Sequence, residues 1–236
     1  MVVLTREREK NAPLRSRLEA LGIRVLELPL LCHLDLPALK ALPGRLSQAD
    51  WVAVTSKEGA KRLLWAWKEA GRPPLKVAAV GEGTGETLRR GGLEPAFLPP
   101  RATARDLAKT FPEAGRVLFV ASALAEGTLE EGLRARGVWV ERLDVYTTEV
   151  NEGALFEASR EGLEGAEVVA LASPSAVRAW AERIGLDLKA ACIGPSTAEE
   201  ARRFFSRVYE AESPGLDGLF SAILKALGMD LPREMG

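Results

Sequence analysis

Histidine occurs once in this chain of 236 residues, at His33, and cysteine only at Cys32 and Cys192. Neither cysteine belongs to a Cys-x-x-Cys pair, so a zinc site built from His and Cys lacks ligands. A single histidine likewise argues against a Ser-His-Asp or Cys-His catalytic system. Cys192 lies in an apolar run and reads as core filler. No Walker-type Gly-Lys-Ser/Thr is present, which argues against an ATPase, and no constrained carboxylate pair of the glycoside-hydrolase kind stands out. Side-chain amides are equally scarce, with Gln48, Asn11 and Asn151 the full set. Beside 23 Arg and 26 Glu, that scarcity of heat-labile groups points to a thermophilic source. Charge of one sign is lacking too: the formal net charge is −1, which leaves no broad basic footprint for nucleic acid. No apolar run approaches the ~18 residues of a membrane span; the richest, Val117–Ala121, is strand-sized. At the N-terminus charge follows the apolar Val2-Val3-Leu4, the wrong order for a secretory signal. A soluble, cytoplasmic protein is expected.

What is present is apolar material, 47% of the chain, enough for one large domain or two of about 110 residues. Short β-branched runs alternate with helical patterns. The expected strands are 2–4, 23–27, 51–54, 76–80, 94–98, 116–121, 138–141, 167–172, 190–193 and 207–211. Between them, Leu14, Leu18 and Leu21 recur at helical spacing before Gly22, and Ala60, Leu63, Leu64 and Trp67 share a face before Gly71. Such alternation predicts an α/β fold with parallel sheets covered by helices. The chain also contains itself twice. Leu18–Val25 parallels Leu133–Val140 at an offset of 137 − 22 = 115, Val52–Ser56 parallels Val169–Ser173 at 117, and Val80–Thr84 parallels Ile193–Thr197 at 113. Leu107 and Leu219 differ by 112. A period this long suits two similar domains with a ligand cleft between them. The repeat leaves open whether the chain divides near Gly115 or whether the opening strand and helix belong with the C-terminal half. Leu28–His33 and Leu143–Glu149 hold equivalent places and read as crossovers.

In parallel α/β sheets ligands bind beyond the carboxyl ends of the strands, where helix N-termini gather. Small hydroxyl or glycine residues stand at nearly every such place: Thr5-Arg6, Thr55-Ser56, Gly81 to Thr84, Ser122, Ser173-Pro174-Ser175, and Gly194 to Thr197. Ser and Thr there also serve as helix caps. Their number in both halves argues for an anion-lined site, because helix starts offer free N–H groups and a positive dipole end. Gly81-Glu-Gly83-Thr-Gly85-Glu86 approaches the dinucleotide fingerprint but has Glu86 where the third glycine belongs. Its partner in the repeat keeps one glycine, so a nicotinamide or flavin site is rejected. Proton donors are few. His33 reads as a surface or linker residue, Tyr209 as packing, and the tryptophans at 51, 65, 67, 139 and 180 mostly as core. Tyr146, at a crossover, could overhang a cleft, though taken alone core or hinge packing is the better reading.

Taken in order, these pieces resemble the uroporphyrinogen-III synthase family across essentially the whole chain. They are Val3-Leu4-Thr5-Arg6, Thr55-Ser56-x-x-Gly59, Val80-Gly81-x-x-Thr84, Pro99-x-x-x-Thr103-Ala104, Tyr146, Ser173-Pro174-Ser175-x-Val177, Ile193-Gly194-x-x-Thr197-Ala198 and Pro214-x-x-x-Gly218-Leu219. Departures from the pattern fall at Glu7, Glu58 and Gly215, where the family often has Pro, Asn and Thr.

The resemblance implies two α/β domains, residues 1–30 with 151–236 and residues 36–142, joined by linker strands 31–35 and 143–150. It implies a cofactor-free, metal-free lyase of tetrapyrrole biosynthesis acting on hydroxymethylbilane, a linear tetrapyrrole with an acetate and a propionate on each ring. The hydroxyl leaves as water, the last ring inverts through a spiro intermediate, and the macrocycle closes. Tyr146 would assist departure of the hydroxyl or orient the terminal ring. Thr5, Arg6, Thr55, Ser56, Gly81, Thr84, Ser122, Ser173, Pro174, Ser175, Gly194 and Thr197 would contact carboxylates, largely through backbone amides. The expected protein is a monomer with no nucleic-acid or membrane partner, in transient contact with the deaminase that supplies its substrate. The competing expectation is a non-catalytic two-domain binder of small anions.

Overall fold

The computed structural model describes residues 1–113 and 115–230. It divides into two compact units, Met1–Cys32 with Glu149–Gly236, and His33–Thr148. The fold class is α/β, as expected.

In the first unit the strands are β1 (Val2–Leu4), β2 (Val25–Glu27), β8 (Val168–Leu171), β9 (Lys189–Cys192) and β10 (Arg207–Glu210). They form an all-parallel sheet in the order β10-β9-β8-β1-β2. An all-parallel sheet is buried on both faces, which is why β1 and β8 read as unbroken apolar runs. Alternate residues supply the two cores. Val3, Val169, Leu171, Ala190 and Cys192 pack against α7 (Glu152–Glu161), α8 (Pro174–Arg183) and α9 (Pro195–Ala201). Val2, Leu4, Val168, Ala170 and Ala191 pack against α1 (Arg8–Ala20) and α10 (Gly215–Ala226). Trp180 is the largest fully buried side chain, and its indole N–H donates to the Leu186 carbonyl at 2.9 Å.

The second unit contains β4 (Trp51–Val54), β5 (Val77–Ala79), β6 (Arg116–Ser122) and β7 (Trp139–Val150), with β3 (Leu31–Asp35) at the edge. Its order is β3-β7-β6-β4-β5. On one face Val52, Val54, Leu118, Val120 and Tyr146 meet α2 (Leu42–Arg45), α3 (Lys57–Glu69) and α4 (Glu82–Arg90). On the other, Trp51, Ala53, Val117, Phe119 and Ala121 meet α5 (Ala104–Thr110) and α6 (Thr128–Ala135). β3 runs against β7: the Leu36 N–H donates to the Val145 carbonyl, while the Asn151 N–H donates to that of Leu30. Both passages of the chain between the units lie within β3 and β7.

Three expectations are corrected. The expected strand 94–98 contributes only an isolated bridge between Ala78 and Phe97. Pro95 has no N–H to give a ladder, and Pro99-Pro100 close the run. The segments 138–141 and 143–150 are one strand, β7, irregular only where the β6–β7 register shifts near Ser122 and Tyr146. Trp65 and Trp139 are not core residues, at 43% and 52% exposed. Trp139 opens β7 on the side opposite to buried Val138 and Val140, with Arg116 stacked on its ring.

The duplication is explicit in the topology. Placing β6-β7 on β1-β2, and β4-β5 with the Phe97 bridge on β8-β9-β10, gives the two sheets the same order of neighbours. Their chain order differs, because the second unit begins where the first unit's second half begins.

Candidate functional site

Each sheet has a point where successive connections leave to opposite sides. It lies between β1 and β8 in the first unit and between β4 and β6 in the second. There the ends of neighbouring strands part and helix starts surround the gap. Thr55, Ser56, Gly81, Thr84, Ser122 and Tyr146 gather at the carboxyl end of the second sheet. Thr5, Arg6, Ser173, Pro174, Ser175, Gly194 and Thr197 gather at that of the first.

In the second unit Ser56 caps α3, accepting the Gly59 N–H at 2.9 Å. That leaves the Lys57 and Glu58 amides at the helix start without an intrahelical acceptor. The same serine oxygen lies 2.7 Å from the Tyr146 hydroxyl. Tyr146 is packed within the unit, the reading favoured for it alone, and does not overhang open space. It is 4% exposed, with the Arg62 guanidinium 4.6 Å over its ring and the His33 ring edge-on at 6.0 Å. His33 itself bonds to Thr148 at 2.8 Å, so it is a half-buried partner of the tyrosine and not a bystander.

The hydroxyl pair has a definite proton inventory. Two O–H protons are present and one is used in the mutual bond. Ser56 Oγ already accepts the Gly59 amide, so whichever oxygen donates, one hydroxyl proton of the pair stays free. From its place over the Tyr146 ring, Arg62 binds Glu58 and Asp35, each at 2.8 Å. Burial alone would raise the Glu58 carboxyl. Hydrogen bonds from Lys61 and Arg62, together with nearby His33, outweigh it and hold the group below its ordinary value.

On the α5–α6 side of the same sheet end a hollow of 360 Å³ is lined by Thr55, Ala102, Phe119, Ala125, Glu126 and Leu129 among others. Gly81 caps α4 at its rim, and a Cβ there would come within 2.6 Å of the Ala102 methyl. In the first unit its counterpart Gly194 has nothing within 4 Å of such a Cβ. The room that Ala102 fills in one unit is open in the other, as a hollow of 790 Å³ lined by Gly194, Pro195, Glu210, Glu212, Ser213 and Pro214 among others. Thr84 and Thr197 occupy matching places in the first turns of α4 and α9, 5% and 2% exposed.

Ser173 caps α8 through the Ala176 N–H at 3.1 Å and lies 3.2 Å from the Ser175 hydroxyl. Pro174 and Pro195 sit at first helical positions, where no backbone bond is lost. Thr5 turns inward: its hydroxyl donates to the Ala170 carbonyl at 2.6 Å and the residue is 5% exposed. Arg6 is half-buried, and its carbonyl accepts the Asn11 side-chain amide at 2.6 Å.

Residues 12–221 match the family described as uroporphyrinogen-III synthase HemD. A chloroplastic uroporphyrinogen-III synthase of rice, Oryza sativa subsp. japonica, is 40% identical over 243 aligned positions, covering 96% of this chain and 80% of the rice protein. The chain belongs to the uroporphyrinogen-III synthase family. Two solved structures of uroporphyrinogen III synthases share the fold. That of Helicobacter pylori 26695 has a TM-score of 0.68 at 18% identity, covering 95% of this chain and 98% of its own. A mutant of the Thermus thermophilus protein has a TM-score of 0.65 at 22% identity, covering 96% and 98%.

For this family member, sequence reasoning missed the residues that hold the candidate site in shape. Arg62 stands four residues after Glu58 on one helix, a spacing that signals a pair but says nothing of a tyrosine beneath it. The His33–Thr148 contact depends on the register of β3 with β7, which no local pattern records. The spacing of Leu14 and Leu18 marks a helix but not its start: α1 begins at Arg8, and Asn11 is 1% exposed inside it.

Proposed function

We propose that this protein closes hydroxymethylbilane to uroporphyrinogen III, with inversion of the terminal ring and loss of one water, as a hydro-lyase that needs no cofactor. The observation that carries this reading is the set of helix starts at the switch point of each sheet, capped by Ser56 and Ser173 and opened by Gly81 and Gly194. A chain with an acetate and a propionate on every ring needs many N–H donors, and helix starts supply them without a lysine patch. Thr55, Ser56, Gly81, Thr84 and Ser122 in one unit, and Arg6, Ser173, Pro174, Ser175, Gly194 and Thr197 in the other, frame these starts. Thr5 supports its loop from within.

Loss of hydroxide from an electron-rich pyrrole needs only modest acid assistance. The free proton of the Tyr146–Ser56 pair supplies it by hydrogen-bonding the departing oxygen. The harder task is holding the last ring turned against its neighbours, since unassisted closure gives the uninverted isomer. That lability also favours transient contact with the deaminase, so that substrate passes on before it closes unaided. We take the protein to act as a cytoplasmic monomer. Among the described residues no helix is long and apolar enough to cross a membrane. The test couples purified deaminase to this protein and separates the porphyrin isomers by chromatography. Type III product is expected, and type I alone overturns the proposal.

A further inference from the structure

Arg142, on β7, engages every nitrogen of its guanidinium. Nε donates to Asp144 at 2.8 Å and Nη1 to Glu130 at 2.6 Å, while Nη2 donates to the Ser122 carbonyl at 3.0 Å and the Ala125 carbonyl at 2.9 Å. Glu130 is 6% exposed, and its other carboxylate oxygen has no partner among the described residues. A half-satisfied buried carboxylate is costly to keep. What it does here is fix an arginine that draws two carbonyl oxygens of one loop inward. That loop leaves β6 at the switch point, and Ala125 and Glu126 form a wall of the 360 Å³ hollow.

The first unit has the equivalent ion pair with its charges exchanged. Arg15 of α1 meets Glu27 of β2 at 2.9 Å, and 130 − 15 and 142 − 27 both equal 115, an offset already seen in the repeat. Among the described residues Arg15 donates only to Glu19 and Glu27, and Glu27, as a carboxylate, has no proton to give a carbonyl. There the buried Asn11 amide takes the Arg6 carbonyl instead, at 2.6 Å. Two unrelated side chains thus produce one result, in the loops after β1 and β6. Carbonyl oxygens carry partial negative charge, so oxygens facing a carboxylate repel it, and turning them in removes that repulsion; the Ala123, Leu124 and Ala125 amides of the loop are themselves bonded to Tyr146 and Ser122.

We propose that Arg142 and Asn11 are positioning residues that withdraw the Ser122, Ala125 and Arg6 carbonyl oxygens from the ligand ends of the two sheets, and thereby set the affinity for a polycarboxylate. The identity of that ligand rests on the synthase activity proposed above. The probe is uroporphyrin III, the stable oxidised form of the proposed product, titrated by fluorescence in parallel with coupled turnover. Arg142→Lys keeps the charge but cannot span both carbonyls. It is expected to raise Kd and KM together by about tenfold with kcat within about twofold of wild type. Asn11→Ala gives the same signature from the other unit, independent of whether Arg142→Lys folds. Arg15→Lys makes the identical chemical change at the equivalent bridge and leaves Kd and KM alone. An unchanged Kd in folded Arg142→Lys, an equal effect of Arg15→Lys, a fall in kcat with KM constant, or no porphyrin binding by wild type each overturns the proposal. Should the variants lose porphyrin while wild type yields only type I isomer, the synthase proposal fails and the positioning role stands.

Discussion

Replacing Tyr146 with phenylalanine separates the two jobs of the Tyr146–Ser56 pair. In stability terms the change removes one hydrogen bond but orphans nothing, because Ser56 still accepts the Gly59 amide. The expected cost is about 0.5–1.5 kcal/mol, or roughly 2–4 °C of melting temperature per kcal/mol for a chain of this size. Ser56→Ala is worse. It deletes the α3 cap, worth about 1 kcal/mol, and leaves a phenol in a residue only 4% exposed without its partner, a further loss of about 1–3 kcal/mol. The double variant relieves that orphan, so the cycle shows a coupling of about 1–2 kcal/mol. Turnover follows the proton count. After Tyr146→Phe the serine keeps its own proton, so kcat falls by about 10- to 100-fold, short of the full range for a lost general acid. The double variant, with no hydroxyl left, falls further, and the type III share of product drops as unassisted closure competes. Isomer chromatography of the coupled reaction reads both. Tyr146→Phe with intact folding and wild-type turnover removes Tyr146 from the chemistry, and a double variant no slower than the single one refutes the shared proton.

Three other outcomes are expected. A Cβ on Gly218 would lie 1.7 Å from the Ser213 carbonyl oxygen, where real contacts stay beyond 3.0 Å. Gly218→Ala must therefore shift the start of α10 with its buried Leu219, Phe220 and Ile223. A loss of about 1–3 kcal/mol in urea unfolding is expected, and an unchanged midpoint would falsify the packing described. Glu58, held below its ordinary value, contributes stability that is present above about pH 4.3 and is lost as pH falls through its depressed folded value. Glu58→Gln should flatten the acid limb of a pH series of denaturation midpoints, and parallel limbs would contradict the ion network. Burial pushes the fully buried Cys192 thiol up to about 12, so a native thiol titration with an aromatic disulfide at pH 8 should detect Cys32 alone. Two equivalents would place Cys192 at the surface.

Most of the architecture was legible because a parallel sheet writes itself as apolar runs. Val2–Leu4, Trp51–Val54 and Val168–Leu171 fall within a residue of their expected places, and the repeated Gly-x-x-Thr sets the starts of α4 and α9. Two failures have a common cause. Residues 94–98 and Trp65 satisfy a local pattern, but pairing and exposure depend on what lies across the sheet or beside the helix. The candidate site was legible as strand ends and hidden as side-chain geometry. Hydroxyl residues after strands reveal where a ligand end lies, whereas the Ser56–Tyr146 bond spans 90 residues and the Arg142 bonds to Glu130, Ala125 and Ser122 span 12 to 20. The exchanged charges at 15/27 and 130/142 are present in the sequence, but only the folded pairs reveal that they are one feature seen twice.

The passages through β3 and β7 make the second unit a cassette. Its first and last residues lie on adjacent antiparallel strands, which sit about 4.8 Å apart, so the host is interrupted at one spot and not torn open. A short turn joining residue 32 to residue 149 would restore an unbroken five-stranded parent, and the excised piece would carry both of its own ends side by side. The near-constant offset of 112 to 117 then marks a tandem copy whose halves have traded places, the opening strands of the first copy completing the sheet of the second copy's later strands.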